Sequence, residues 1–255
     1  GAEVRFPAKL ADEARKNGEK VSVPIPALPA EAGISSTVTI RTDSFQPLTV
    51  EIPLQRPAAG IVAAVVNADG TETILKTSLP TANGIVLPVS DGVSVKLLDN
   101  RKPFADTVNH WAGDAIDFVS ARELFSGKTA ETFAPDAPMT RAMWATVLAR
   151  FDGADTTGSA YEKGIAWAKA HGVSDGANPN GPVTREQLIT MLYRYTGSPA
   201  PADRSLNYTD AAAVSGYARD AMSWAVEAGI LSGYADGTLA PGARTTRGQV
   251  AAMLM

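Results

Sequence analysis

Three short stretches decide the fold of this chain: MTRAMWATVLARF at Met139–Phe151, VTREQLITMLYRY at Val183–Tyr195 and TTRGQVAAMLM at Thr245–Met255. Each stretch places a Thr-Arg pair in front of apolar residues that recur with the period of an α-helix. A second helical pattern lies upstream of each stretch. Three similar units predict a repeat architecture, because a single unit is too small to bury a core and must pack against its neighbours.

The three units are predicted at about residues 104–151, 152–203 and 204–255. The first and third share an aromatic-x-Asp head, which ends at Asp106 and Asp210 and is followed by Trp111 and Tyr217. The second unit has no clear head of this kind. All three have a turn glycine nine residues after an aromatic residue: Gly127, Gly176 and Gly233, after Phe118, Trp167 and Trp224.

Composition favours a globular protein without a nucleic-acid partner. The chain has 255 residues, is 45% hydrophobic and 20% charged, and carries a net charge of -4. It has no dominant basic patch of the kind that binds a phosphate backbone. The longest apolar run, Ile61–Val66, is far shorter than the roughly 20 residues that span a bilayer, so we expect no membrane insertion.

The sequence predicts no catalytic site, no metal site and no cofactor. The absence of cysteine excludes disulfides, thiolate catalysis and Cys-ligated metals. The two histidines, His110 and His171, lie at a helix start and a helix end without a catalytic motif around them. No signal peptide is recognisable, and Gly1 is typical of a chain from which a leader or preceding domains have been removed.

The first 103 residues show the period-2 alternation of half-buried strands. Asn67–Gly70 and Ser90–Gly92 are predicted to form two hairpins, and a short helix is predicted at 7–17. We therefore predict an α+β chain of two domains: an antiparallel β domain at 1–103, a sandwich or open barrel serving as a spacer or presentation domain, and a helical repeat domain at 104–255. The predicted strands are 21–25, 38–40, 48–54, 61–66, 71–77, 85–89 and 93–98.

The threonine of each Thr-Arg pair is predicted to cap its helix. Thr140, Thr184 and Thr246 have side chains suited to accept a backbone N–H of the first turn. Gln187 and Gln249 stand at the third helical position and complete capping boxes.

Capping does not explain the arginine that follows each threonine. A cation at a helix N-terminus faces the positive end of the macrodipole, which costs about 0.3–1 kcal/mol. One interpretation is that free backbone N–H groups and the guanidinium together bind a carboxylate or phosphate. The alternative is a salt bridge to a neighbouring Asp or Glu. The arginines are Arg141, Arg185 and Arg247.

The aromatic residues divide into two groups. Trp144, Trp167 and Trp224 lie on apolar helix faces and are predicted in the core. Trp111 and Tyr217 lie just before a helix, where they could either line a groove and stack on sugar C–H groups or pack against the protein.

At these residues the sequence resembles the S-layer homology (SLH) domain family. The matching features are FAD at 104–106, HWA at 110–112, YTD at 208–210, SGYADGTLAP at 232–241, and TRAM, TREQ and TRGQ where the family usually has TRAE. The resemblance covers residues 104–255. It implies three helical repeats around a pseudo-threefold axis, with grooves between neighbours, in a protein anchored non-covalently outside the cell on the cell wall or S-layer.

The resemblance also implies a partner, a secondary cell-wall polysaccharide that often carries anionic pyruvate ketals. The residues implied to contact it are Arg141, Arg185, Arg247, Asp106, Asp210, Trp111 and Tyr217. The chain departs from the family because Met143, Gln187 and Gln249 replace the motif glutamate. Replacing Arg141 and Arg247 with alanine is expected to weaken wall binding at least tenfold, about 1.4 kcal/mol, with little change in stability.

Two alternatives to wall anchoring stay open at this point. One is a protein-binding or adhesion module. The other is an accessory region of a wall-acting hydrolase whose catalytic part lies outside this chain. Binding to cell walls before and after removal of the polysaccharide would separate these hypotheses.

Overall fold

The computed structural model describes residues 3–5, 37–40, 48–90, 92–159 and 161–255. It is an α+β structure, with six α-helices and two antiparallel sheets among the described residues. The chain divides into two compact parts, which we call the β part (Gly1–Pro103 with Asp117–Glu123) and the helical part (Phe104–Ile116 with Leu124–Met255). The helix predicted at 7–17 and the strand predicted at 21–25 lie outside the described residues.

The strands of the β part form two four-stranded antiparallel sheets. One sheet has the order β1-β3-β7-β6 and the other the order β2-β8-β4-β5. The strands are β1 (Glu3–Arg5), β2 (Thr37–Thr39), β3 (Leu48–Pro53), β4 (Ile61–Val66), β5 (Glu72–Ile74), β6 (Leu79–Pro80), β7 (Gly84–Val89) and β8 (Ser94–Asp99).

One apolar core is shared by these two sheets, so the described residues of the β part form a sandwich. Alternate residues of β7 enter this core, because side chains of a strand point to opposite faces in turn. The opposite sheet supplies alternate residues of β4 and β8. The buried members of the core are Ile40, Val50, Ile52, Ile61, Ala63, Ile85, Leu87, Val89, Val95 and Leu97.

One predicted hairpin is confirmed and the other is wrong. Asn67–Gly70 joins β4 to its antiparallel partner β5, and Gly70 adopts a φ of 83° in the turn. Ser90–Gly92 instead connects β7 of one sheet to β8 of the other. Turn residues between two alternating patterns show where the chain reverses, but they do not show that β8 pairs with β4 instead of with β7.

A buried arginine, Arg122, belongs to the β part and was not singled out from the sequence. The Arg122 side chain is fully buried, and burial lowers the pKa of its guanidinium to about 10. It lies 3.9 Å from the centroid of the Phe118 ring. Its N–H groups donate to the carbonyls of Ser78 (2.7 Å), Ala59 (2.9 Å) and Ile61 (3.3 Å). Hydrogen bonds to backbone carbonyls thus satisfy a charge that burial would otherwise destabilise.

The helices follow the predicted pattern closely. All three Thr-Arg stretches are helical, and each upstream pattern forms a helix of nine residues. The α-helices are α1 (Gly113–Ala121), α2 (Arg141–Phe151), α3 (Glu162–Ala170), α4 (Arg185–Tyr195), α5 (Arg219–Glu227) and α6 (Arg247–Leu254). Short 3-10 helices lie at Ala105–Thr107, Ala211–Ala213 and Gly216–Ala218.

The residues just before α2, α4 and α6 meet in a closed ring of backbone hydrogen bonds. Met139 N–H donates to Thr245 O (2.9 Å), Val183 N–H to Met139 O (2.8 Å), and Thr245 N–H to Val183 O (3.1 Å). All three residues are fully buried. Because each segment bonds to the other two, removal of any one leaves buried polar groups of its neighbours unsatisfied.

Candidate functional site

The predicted helix caps are confirmed. Thr184 and Thr246 accept the N–H of Gln187 and Gln249, and each glutamine side chain accepts the N–H of its threonine, so both capping boxes form. Thr140 also accepts an N–H, from the residue at the third position of α2.

The first-turn N–H groups are not free to bind an anion, contrary to the interpretation drawn from the sequence. Arg141 N–H donates to Gly181 O (3.0 Å), and the next N–H of α2 donates to Pro179 O (2.9 Å). The first two N–H groups of α4 and of α6 likewise donate to loop carbonyls, which are those of Ala243, Pro241, Ala137 and Pro135. The helix starts are therefore filled by neighbouring loops.

The guanidinium groups of Arg185 and Arg247 donate hydrogen bonds to backbone carbonyls of loops distant in sequence. Neither interpretation drawn from the sequence anticipated these contacts. Arg247 Nε donates to Phe133 O (3.0 Å) and its Nη2 donates to Ser126 O (2.7 Å). Arg185 makes the same pair of contacts, to Leu239 O (2.8 Å) and Ser232 O (3.1 Å). Both arginines are only 5% exposed.

Aromatic rings cover these two guanidinium groups. The Phe133 ring centroid lies 4.4 Å from the guanidinium carbon of Arg247, and the Tyr234 ring centroid lies 4.8 Å from that of Arg185. Burial lowers the pKa of Arg247 below its ordinary value. These contacts give Arg185 and Arg247 a role in holding loops, and a contact of either with a sugar stays a prediction.

Arg141 differs from the other two arginines. Its side chain is 18% exposed and forms a salt bridge to Asp175, with Nη2 2.9 Å from Oδ1. Its Nε donates to Ala177 O (2.9 Å), and Nη2 also donates to Ser174 Oγ (3.2 Å). The salt-bridge alternative therefore holds at this arginine, whereas the structure describes none for Arg185 or Arg247.

The head aspartates accept hydrogen bonds from the same loops that Arg247 and Arg185 contact. Asp106 accepts N–H groups of Phe133 (2.8 Å) and Ala134 (2.6 Å), and Asp210 accepts those of Leu239 and Ala240 (both 2.8 Å). Burial opposes ionisation of Asp106, but these hydrogen bonds outweigh it and lower its pKa. Both carboxylates are thus engaged within the protein, and their contact with a polysaccharide stays a prediction.

A left-handed residue before a proline explains why two loops need an aspartate. Ala134 and Ala240 have φ of 61° and 48°, a left-handed conformation that residues other than glycine and asparagine rarely adopt. The carboxylates of Asp106 and Asp210 hold these strained N–H groups. The second unit lacks the aspartate and has Asn178 at this point, with φ of 45°. Asparagine tolerates the left-handed region best after glycine, so this loop needs no such tie.

The turn glycines are required for two different reasons. A Cβ at Gly127 or Gly233 would lie 2.5 Å from the Phe104 ring or 2.3 Å from the Tyr208 ring. These two glycines therefore make room for the aromatic residue of the head. Gly176 instead has a φ of 76°, which favours glycine.

The exposed aromatic residues lie on the surface as groove-lining residues would. Trp111 is 67% exposed and Tyr217 is 56% exposed. The Tyr217 hydroxyl donates to Glu186 (3.1 Å), a nearly buried carboxylate that also accepts the N–H and hydroxyl of Ser215. Of the tryptophans predicted in the core, Trp144 and Trp167 are buried and Trp224 is half-buried.

The helical part, made of Phe104–Ile116 and Leu124–Met255, contains a cleft of about 360 Å³, which we call the first cleft. Three cationic side chains line it, those of Lys128, Arg150 and Arg247, together with the aromatic ring of Tyr161. No aspartate or glutamate is among the described residues that line it. The remaining lining residues are Leu124, Phe125, Ser126, Gly127, Met139, Met143, Thr146, Val147 and Ser159.

Most functional candidates in this cleft were missed from the sequence. Arg150 donates to Leu124 O (3.1 Å) and Ser126 Oγ (3.2 Å). A signal for it existed, because Arg150 and Arg194 both stand nine residues after the Thr-Arg arginine of their helix. Lys128 and Tyr161 had no such signal, since only the folded chain brings them beside α2.

Tyr161 is strained at the edge of the cleft. It precedes α3 with a φ of 76°, a left-handed conformation that is rare for a bulky side chain. Strained residues of this kind cluster at sites where ligands bind, because the surrounding structure must hold them in place. Tyr161 is 36% exposed, whereas Phe125, which also lines the cleft, is 4% exposed, so of these two rings the Tyr161 ring is the one reachable from solvent.

Two classes of site are not found in the parts of the chain that the structure describes. Within them, no group of three His, Asp or Glu side chains is placed to hold a metal ion. No helix there combines the length and apolarity needed to cross a membrane.

Two segments of the chain match the family model of the S-layer homology domain, at residues 103–142 and 207–251. These segments contain the heads and loops of the first and third predicted units, together with the start of α2 and most of α6. The match thus agrees with the resemblance seen in the motifs of these two units.

Three curated proteins are similar to this chain. They are an endoglucanase of Bacillus sp. (strain KSM-635), 26% identical over 67% of this chain, an amylopullulanase of Thermoanaerobacterium thermosulfurigenes, 26% over 60%, and the exoglucanase XynX of Acetivibrio thermocellus, 25% over 62%. The matched region is 20%, 9% and 16% of those proteins, respectively. The chain therefore spans only a small part of the length of these relatives.

Proposed function

We propose that this chain anchors a longer, secreted protein to the bacterial cell wall. It does so non-covalently, by binding a secondary cell-wall polysaccharide that carries an acidic group such as a pyruvate ketal. The two segments that match the S-layer homology domain support wall attachment. The expected location is outside the cell, at the wall or S-layer.

The first cleft is the observation that carries the proposal. It combines three cationic side chains with no lining carboxylate, and its volume of about 360 Å³ lies within the range of small-ligand sites. An acidic group entering it would meet a favourable potential from several directions, since partly desolvated charges about 4 Å apart interact by a few kcal/mol.

Each lining residue has a distinct role in this proposal. Lys128 is exposed and can follow the ligand, whereas Arg150 is fixed by its bonds to the loop and offers a preorganised guanidinium. The Tyr161 ring supplies an apolar face for sugar C–H groups. Met143 replaces the glutamate usual in the family motif, which keeps a negative charge out of the cleft.

We also propose that residues 152–203 are a third repeat of the same kind as the two matched segments. Thr184 and Gln187 form the same capping box as their counterparts in the third unit. Val183 occupies the same position in the backbone ring as Met139 and Thr245. The shorter loop of this unit and its missing head explain why its motif is weaker.

A second candidate places this chain beside a catalytic region that degrades polysaccharide. The curated relatives are named endoglucanase, amylopullulanase and exoglucanase, and the matched region is a minor part of each. In this proposal the present chain holds the protein at the wall, is not itself an enzyme, and catalysis belongs to another part of the polypeptide.

Binding to purified cell walls tests the proposal. The chain should sediment with intact walls and lose binding to walls stripped of polysaccharide by hydrofluoric acid. Unchanged binding to stripped walls would favour a protein-binding or adhesion module, and release of wall sugars would favour a hydrolase.

Charge reversal in the first cleft sharpens the test. Lys128→Glu should weaken wall binding at least tenfold, and increasing salt should reduce the difference from wild type. Lys169→Glu is the matched control, because this exposed lysine of α3 undergoes the same change of charge outside the cleft. Equal binding by wild type and Lys128→Glu would rule out the first cleft as the site.

A further inference from the structure

The residue before each turn glycine distinguishes the second unit from the other two. Ser126 and Ser232 stand at this position in the first and third units, and Asp175 stands there in the second. The carbonyls of the two serines accept Nη2 of Arg247 and Arg185. In the second unit the side chain of Asp175, rather than its carbonyl, accepts Nη2 of Arg141.

A local hydrogen bond positions the Asp175 carboxylate independently of Arg141. Its Oδ1 accepts the N–H of Ala177 (2.9 Å), which is a local turn contact two residues along the chain. This hydrogen bond and the neighbouring Arg141 lower the pKa of Asp175, so it stays ionised at neutral pH. The carboxylate is 71% exposed and lies at the surface, where an external anion would have to approach.

Arg141 would otherwise be the most accessible of the three arginines. Arg141 is half-buried, whereas Arg185 and Arg247 are buried. We call the surface formed by Arg141, Ser174, Asp175 and Ala177, which the Arg141 side chain contacts, the second groove. The Asp175 carboxylate thus faces the second groove, whereas no carboxylate is among the described residues that line the first cleft.

We propose that Asp175 is a built-in counter-anion that closes the second groove to acidic sugars and so directs them to the first cleft. This inference rests on the proposed function. A tethered carboxylate has an effective concentration in the millimolar range or above. A free acidic ligand must therefore reach comparable concentrations before it displaces Asp175 from Arg141.

The test exchanges the residues of the two positions. Asp175→Ser introduces the residue of the other two units, and Ser126→Asp places a carboxylate in the first cleft. Calorimetric titration with a methyl glycoside that carries a pyruvate ketal counts the sites. Its uncharged methyl ester serves as the ligand control. Asp236→Asn is the matched protein control, because this aspartate also accepts an N–H two residues along but has no arginine partner among the described residues.

We expect Asp175→Ser to bind one more equivalent of the acidic glycoside than wild type, and to lose it again when Arg141→Gln is added. Ser126→Asp should weaken the wild-type site at least tenfold, and Asp236→Asn should match wild type. A folded Asp175→Ser with an unchanged number of sites overturns the inference and leaves the proposed function intact. Wild-type binding that Arg141→Gln abolishes also overturns the inference, and it moves the acidic-sugar site from the first cleft to the second groove.

The two proposals fail in different ways. Wild type that binds nothing, with Asp175→Ser gaining one site, refutes binding at the first cleft and supports the role of Asp175. Failure of both proteins to bind refutes both proposals. Tryptophan fluorescence shows that each variant is folded, because Trp144 is buried and its indole donates to Leu188 O (3.1 Å).

Discussion

Replacing Arg247 with alanine should destabilise the helical region strongly, although the sequence alone suggested little effect. The side chain is 5% exposed and donates to the carbonyls of Phe133 and Ser126. A hydrogen bond to a charged group contributes about 1.5–3 kcal/mol, and stacking on an aromatic ring adds about 0.5–1 kcal/mol. We therefore expect Arg247→Ala to lose about 3–5 kcal/mol of unfolding free energy.

The expected loss at Arg141 is smaller, which gives a comparison within one chain. Its side chain is 18% exposed and its charged partner, Asp175, is mostly in solvent. Exposed ion pairs contribute at most about 1 kcal/mol. Together with the bond to Ala177 O, Arg141→Ala should cost about 1–2 kcal/mol.

Urea denaturation followed by tryptophan fluorescence measures both losses. All four tryptophans and all six tyrosines lie within 104–255, so this signal reports on the helical region. Arg247→Lys keeps the charge but not the fork of donors, and should fall between alanine and wild type. An Arg247→Ala loss below about 1 kcal/mol, or one no larger than that of Arg141→Ala, would refute the reasoning.

Three further predictions concern the loops and Tyr217. Asp106→Asn should lower the unfolding free energy by about 1–2 kcal/mol at pH 7. In wild type this contribution is present above about pH 4 and is lost as pH falls through the lowered pKa, so urea titrations at pH 7 and pH 3 should show the difference shrink. Gly233→Ala should cost about 1–3 kcal/mol in the same assay, because its Cβ would meet the head tyrosine, whereas Gly242→Ala should be neutral. Burial and the Glu186 carboxylate raise the pKa of Tyr217, so ultraviolet titration of wild type against Tyr217→Phe should show a phenol that ionises above pH 10.

Local signals in the sequence predicted much of the fold. Thr184 followed by Gln187 predicted a capping box, because capping depends on residues within one helical turn. The alternation of β4 and the turn at Asn67–Gly70 predicted a hairpin for the same reason. Which sheet receives β8 was not predictable from such signals, since β8 pairs with β4, whose residues lie far away in the sequence, as Ile61 does from Asp99.

The candidate site shows the same division between local and tertiary information. The sequence by itself determined that an arginine opens each helix and that the second unit has Asp175 where its neighbours have serine. Only the tertiary structure decided that Arg247 would reach Phe133 and Ser126, far along the chain, while Arg141 would meet Asp175. The physical reason is that a buried guanidinium needs hydrogen-bond acceptors, and these come from loops that only the folded chain brings beside it.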